Sequence, residues 1–257
     1  GLGDVYKRQL QANGQVWLAN PNGIMVGKGG TINVGSFIAS THDIATEDFM
    51  GGGDLAFHGK SDASVVNQGN ITARDGDVFL VARQVKNEGQ LMAKDGTVGQ
   101  GNYKIRLLAA ENEAANSGSG KRNSETEAEI VNEGVIQAAN AVLEAKGSYL
   151  PMAIKNTGLI EATGLRENGD GTVSLTGGEG DILNTGVVAA LQRSLDGKKE
   201  TGGSIVMTGK NVTSDPGSMI TAAGRDRGGE IKLRAADTTI LRGAIEVTGT
   251  SESAKGG

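Results

Sequence analysis

Carboxylates and histidines are the groups in this protein with chemistry to offer, and their spacing limits what that chemistry is. Asp75, Asp77 and Asp95 sit at intervals that would stack them near one corner of a coiled backbone, with Asp170 and Asp181 farther on. Acids on neighbouring strands serve acid/base catalysis or calcium binding. Asp-Gly at a bend is a turn signal in its own right, however, and solvated turn acids are the reading adopted here. The two histidines are His42 and His58. His42-Asp43 beside Ser40 and Thr41 suggests a hydrolase, yet adjacency in sequence does not make a triad geometry. Two unclustered histidines without any cysteine also make a poor metal site. Gly118-Ser119-Gly120-Lys121 looks like part of a phosphate loop, but Ala115 replaces the preceding glycine and Arg122 replaces the Mg²⁺-binding hydroxyl residue. Gly178-Glu179-Gly180-Asp181 is faintly similar to a calcium-binding nonapeptide, but it does not repeat and so carries little weight. Catalytic residues, metal and cofactor are therefore all assigned as none.

The elements that would position such groups announce themselves through asparagine and glycine. The pattern apolar-x-Asn-x-Gly-x-apolar-x-Ala appears as Val65-Val66-Asn67-Gln68-Gly69-Asn70-Ile71-Thr72-Ala73 and as Val85-Lys86-Asn87-Glu88-Gly89-Gln90-Leu91-Met92-Ala93. Copies beginning at Ile130, Ile154 and Ile182 place Asn132, Asn156 and Asn184 in the same slot. After each unit comes a strand of period two: Val78-Phe79-Leu80-Val81-Ala82, Ile105-Arg106-Leu107-Leu108-Ala109, Val173-Ser174-Leu175-Thr176-Gly177, and two more from Ile205 and Ile231. Their intervening residues are polar in the later copies. Phe79 and Val81 break that rule, which predicts a covered outer face there.

Units of about 20–28 residues with short strands and no helical period mark a solenoid. Recurrence of one asparagine at one corner favours parallel coils over a sandwich. Roughly nine coils at about 4.8 Å would make a rod of roughly 40–45 Å. Asn and Gly suit a bend that needs φ > 0, and an inward asparagine can bond the coil above and below. Asn20-Pro21-Asn22-Gly23-Ile24 lies on the same template: Leu18, Asn20, Ile24 and Val26 take the apolar, Asn, apolar and small-apolar slots, and Asn22 the glycine slot. Pro21 makes this the stiffest bend, with Asp215-Pro216-Gly217 a weaker copy. Connections at 74–77, 164–172, 191–204 and 223–230 fall at one corner, so loops concentrate along one edge. The largest polar excursion, 110–129, falls at another junction and reads as a mobile loop.

Composition agrees. Of 257 residues 42 are glycine and only 3 proline, without a Gly-X-Y period, while aromatics are 3%. That suits a narrow core of small aliphatic side groups. A net charge of −5 and the lack of a basic stripe argue against nucleic acid. No run of 18 apolar residues offers a membrane-spanning helix, and no signal peptide opens the chain. Residues 1–9 match neither the repeat nor the segment after them and are read as a non-native or disordered leader. Residues 10–257 are read as a single β-helix domain, open at both ends and part of a longer protein.

Leu10-Gln11-Ala12-Asn13-Gly14-Gln15-Val16-Trp17-Leu18-Ala19-Asn20-Pro21-Asn22-Gly23-Ile24-Met25-Val26-Gly27, with Thr31 to Thr41 after it, resembles the N-terminal secretion domain of two-partner secretion (TPS) exoproteins. Filamentous haemagglutinins and related haemolysins and adhesins make up that family. The resemblance implies an all-β, right-handed parallel β-helix exported from a Gram-negative cell to its surface. It also implies an outer-membrane β-barrel transporter with periplasmic POTRA domains as partner. Asn20, Pro21, Asn22, Gly23 and Ile24 would inherit a role in secretion, exerted through folding. The family's leader, first strands and an Asn-Pro-Asn-Leu motif belong before Leu10, so this segment alone is expected not to be export-competent.

The function expected is a secretion domain and first stem of a large surface protein, an adhesin or haemagglutinin, monomeric, with a host or cell-surface receptor or glycan as target. The alternative is a carbohydrate-active β-helix enzyme, a polysaccharide lyase or hydrolase. A toxin-delivery stem is indistinguishable from the first at this level.

Overall fold

In the computed structural model every described element is a β-strand. The description covers residues 9–44, 57–58, 60–93, 104–109, 127–145, 150–165, 171–194 and 196–251. The strands wind into a parallel β-helix of triangular section, each coil giving one strand to each of three faces. The alanine face stacks Gln9–Gln11, Thr31–Val34, Asn70–Ala73, Gln90–Ala93, Val135–Ala138, Leu159–Leu165, Val187–Arg193, Met219–Thr221 and Ala244–Glu246 in sequence order. Gln9, which the sequence pattern assigned to the leader, pairs with Thr31 and so belongs to this stack.

The leucine face runs from Gln15–Ala19 through Ser36–Ser40, Val78–Ala82, Lys104–Ala109, Asn140–Glu144 and Thr172–Thr176. The asparagine face runs from Ile24–Val26 through Ser64–Asn67, Gln84–Asn87, Ile130–Asn132, Met152–Asn156 and Asp181–Asn184. In the later coils the long strands Ser204–Ser214 and Glu230–Leu241 cross both faces without a break, with a register shift between Gly209 and Asn211.

Period-two alternation explains the core. Ile71, Leu91, Ile136 and Ile160 point inward from one face, and Leu80, Leu107, Leu143 and Leu175 from a second, all essentially inaccessible to solvent. Their register partners are one another, so like stacks on like up the axis. Each of these residues stabilises the fold by roughly 1.5–3 kcal/mol on leaving water. In the first coil Leu10, Val16, Leu18, Ile24 and Val26 pack on the core while only half-buried. Phe79 and Val81 face away from the axis; Val81 and Ile38, the register partner of Phe79, are only 2% exposed and Phe79 is half-buried, so that outer patch is largely covered.

Loops enter at two corners. Among the described residues, 74–77, 196–203 and 222–229 lie at the alanine-to-leucine corner, the edge read from the sequence. Between the leucine and asparagine faces lies an antiparallel pair of Asp43–Ile44 with Phe57–His58, and most of the 110–129 excursion read from the sequence lies outside the described residues. The third corner, from asparagine face to alanine face, takes two to four residues in every described coil. This corner carries the repeat's asparagines.

Candidate functional site

At that third corner Asn67, Asn87, Asn132, Asn156 and Asn184 are wholly buried. Asn67 Nδ2 donates to Asn87 Oδ1, Asn87 to Asn132, Asn132 to Asn156 and Asn156 to Asn184, each at 2.8 Å. Backbone bonds run the other way. Glu88 and Gly89 N–H both donate to the Asn67 carbonyl, and the pairs Glu133/Gly134, Thr157/Gly158 and Thr185/Gly186 do the same to Asn87, Asn132 and Asn156. The asparagine amides thus satisfy bend groups that would otherwise be buried without partners.

The repeat's glycines have a different reason from the one expected. Gly69, Gly89, Gly134, Gly158 and Gly186 do not adopt positive φ. A Cβ on Gly89 would instead collide with the Gly69 carbonyl oxygen, one on Gly134 with that of Gly89, and so on up the column. Close approach of stacked backbones, not bend conformation, requires glycine there.

Both ends of the ladder are closed by a change of residue that sequence reasoning missed. Val26 pairs with Asn67 and Ser214 with Asn184, so valine and serine hold the asparagine slot in the flanking coils. Beyond them the corner opens into four-residue turns at 27–30 and 215–218, with Gly29 and Gly217 at φ +78° and +87°. At the lower end Gly69 N–H turns to Asn67 Oδ1 (3.1 Å). At the upper end Asn184 Nδ2 reaches Gly186 O at 3.3 Å, and Ser214 Oγ meets Ser218 Oγ at 2.7 Å. Gly27-Lys28-Gly29-Gly30 and the Asp215-Pro216-Gly217 turn stand in the sequence at these places, but only register says which slot they follow.

Register also moves Asn20-Pro21-Asn22-Gly23-Ile24. Because Ile24 pairs with Val65, the motif precedes the asparagine face and occupies the leucine-to-asparagine corner, not the ladder corner. Asn20 is therefore not a rung of the ladder, and Asn22 does not stand in the repeat's glycine slot. What the two sites share is local: Asn22 N–H donates to Asn20 Oδ1 (3.0 Å) as Gly69 N–H does to Asn67 Oδ1. Gly23 N–H closes the turn on Asn20 O (3.1 Å), and Gly23 at φ +108° is its left-handed residue. Asn20 N–H bonds Ser40 O, and Ser61 Oγ donates to Pro21 O (2.6 Å), tying the turn to the next coil. Asn20, Pro21 and Asn22 themselves are exposed.

The other candidates disperse. Asp77 Oδ1 accepts Lys104 N–H (2.7 Å), and burial raises its carboxyl above the usual range despite that bond. Asp181 Oδ1 accepts from Asn211 Nδ2 (2.8 Å) on the asparagine face. Asp75 is an exposed corner residue, while Asp95, Asp170 and 118–121 lie outside the described residues. Glu88 on the ladder corner is lowered by its bond to Lys86, then by Gln68. His42 is buried, its Nδ1 3.2 Å from Thr41 Oγ1, and the Ser40 hydroxyl is spent on the His42 backbone at both N–H and carbonyl. Among the described residues no group of three or more His, Asp and Glu residues gathers as a metal site.

A three-faced parallel β-helix, laddered at one corner and closed by an exposed Asn-Pro-Asn-Gly turn in its first coil, defines a class. The chain belongs to the TPS secretion domain family, whose model matches residues 9–190. Two Heme/hemopexin-binding proteins of Haemophilus influenzae are each 30% identical to it over 234 and 245 residues, 83% of this chain and 24–25% of theirs. The chain thus spans about a quarter of the length of those relatives. The HMW1 secretion domain from Haemophilus influenzae superposes with a TM-score of 0.70 at 27% identity, covering 94% of this chain and 66% of that one. The protein is of the exported class, carried across the outer membrane to the surface or medium. The comparisons point to a secretion domain and to no enzyme family.

Proposed function

We propose that this chain is the secretion domain and first stem of a large exported surface protein, an adhesin or haemagglutinin, handed to an outer-membrane β-barrel transporter with periplasmic POTRA domains. The family match over 9–190 carries the reading, because it spans the coils that hold the turn and the whole ladder to Asn184. In this reading Asn20, Pro21, Asn22, Gly23 and Ile24 serve export by fixing the first coil, and the ladder keeps the stem in register. The protein acts without catalysis. Separation of Asp77, at the alanine-to-leucine corner, from Asp181, on the asparagine face, supports that over a lyase or hydrolase, which needs acids within reach of one bond. The relatives' heme ligand gains no support from His42, which is buried in a turn.

The test uses a longer protein carrying this segment, expressed with its transporter, as wild type and as Gly23→Val. Valine resists φ +108°, so the variant should lose export and gain protease sensitivity in its first coils. Normal export with unchanged protease resistance would overturn the reading.

A further inference from the structure

Asparagine followed by glycine is where a polypeptide most readily modifies itself, because a glycine nitrogen without a flanking Cβ reaches the asparagine Cγ unhindered. Two such steps fall among the described residues, Asn13-Gly14 and Asn22-Gly23, both in the first coil. Asn168-Gly169 lies outside the described residues. The ladder asparagines are followed instead by Gln68, Glu88, Glu133, Thr157 and Thr185.

The two first-coil steps are held very differently. Asn13 and Gly14 are exposed, Gly14 N–H donates to no described residue, and nothing lies within 4 Å of where a Cβ on Gly14 would stand. Gly23 N–H, the nucleophile at the other step, is engaged by Asn20 O at 3.1 Å, and Gly23 is half-buried. We propose that Asn13-Gly14 is a site of spontaneous covalent modification and that the hydrogen-bonded turn spares Asn22-Gly23.

The step needs only water. Gly14 nitrogen gives its proton to solvent and bonds to Asn13 Cγ while the bond from Cγ to the amide nitrogen Nδ2 breaks and ammonia leaves. One water then opens the succinimide to aspartate or isoaspartate, with no change of oxidation state. Either product adds a negative charge. Isoaspartate also lengthens the backbone between Gln9–Gln11 and Gln15–Ala19, at the corner where Gly14 O accepts Gly35 N–H (2.9 Å). Modification therefore loosens the first coil from the second.

The whole protein is incubated at mildly alkaline pH and body temperature, beside unstructured peptides spanning each step, and mapped by mass spectrometry with enzymatic labelling of isoaspartate. Asn13 should convert at the rate of its peptide. Asn22 should convert about tenfold more slowly than its own peptide, the factor set by one net hydrogen bond. Gly14→Ala should suppress conversion at Asn13 without shifting the melting temperature, and Pro21→Gly, which loosens the turn, should speed conversion at Asn22. Asn22 converting as fast as Asn13 in the folded protein, or Asn13 lagging its peptide, would refute the proposal. The wild-type comparison decides even where a variant folds poorly.

Discussion

Two corners of this molecule use the same asparagine device to different ends. At Asn20 the amide oxygen Oδ1 accepts the backbone N–H two residues on, the residues around it are exposed, and one hydroxyl, from Ser61, anchors the turn to the next coil. From Asn67 to Asn184 the asparagine amides are buried and bonded to one another through successive coils. Turn chemistry is local in the first case and collective in the second. A local turn positions one coil; a ladder makes each coil's stability depend on its neighbours, as in a one-dimensional stack.

Breaking the glycine column should have the largest effect, because it opposes backbone to backbone. Gly134→Ala drives a Cβ into the Gly89 carbonyl and should cost about 3 kcal/mol or more, read as a collapse of the urea midpoint. Asn132→Ala comes next. It leaves Asn87 Nδ2 with only its long bond to Val135 O (3.4 Å), takes the Asn132 donor from Asn156 Oδ1, and should cost about 2–4 kcal/mol by the same measurement.

Extending the ladder sharpens the contrast from the other side. Ser214→Asn offers Asn184 Nδ2 the acceptor that each lower coil has, and should raise stability by about 1 kcal/mol. Smallest is Asp77→Asn, at neither site. Burial raises the Asp77 carboxyl, so the folded state holds its proton more tightly than the unfolded state does. Stability then falls as pH rises from the unfolded value of about 4 through the raised folded value. Asparagine should raise the melting temperature at neutral pH, with the gain vanishing in acid.

Period-two runs such as Val173 to Gly177 were legible because alternation is a local property of a strand, and the asparagine column because its spacing repeats. The corner occupied by Asn20 was not. Its bond to the amide two residues on is what Asn67 also makes, and only pairing of Ile24 with Val65, 41 residues apart in sequence, separates the two corners. Val26 and Ser214 were hidden for the same reason, since a slot has no identity without register. The glycines were legible in position but not in cause. Composition suggests bend freedom, whereas only the stacking of coils reveals the carbonyl that excludes a Cβ.

Hydrogen exchange at the corner amides of Gly89, Gly134, Gly158 and Gly186, compared between Asn132→Ala and Asn20→Ala, tests the division most directly. Collective bonding predicts lost protection at all four amides in Asn132→Ala. A local turn predicts that Asn20→Ala, costing about 1 kcal/mol, leaves them protected and frees only amides of the first two coils. Equal loss at Gly134 in both variants, or full protection in Asn132→Ala, would contradict it.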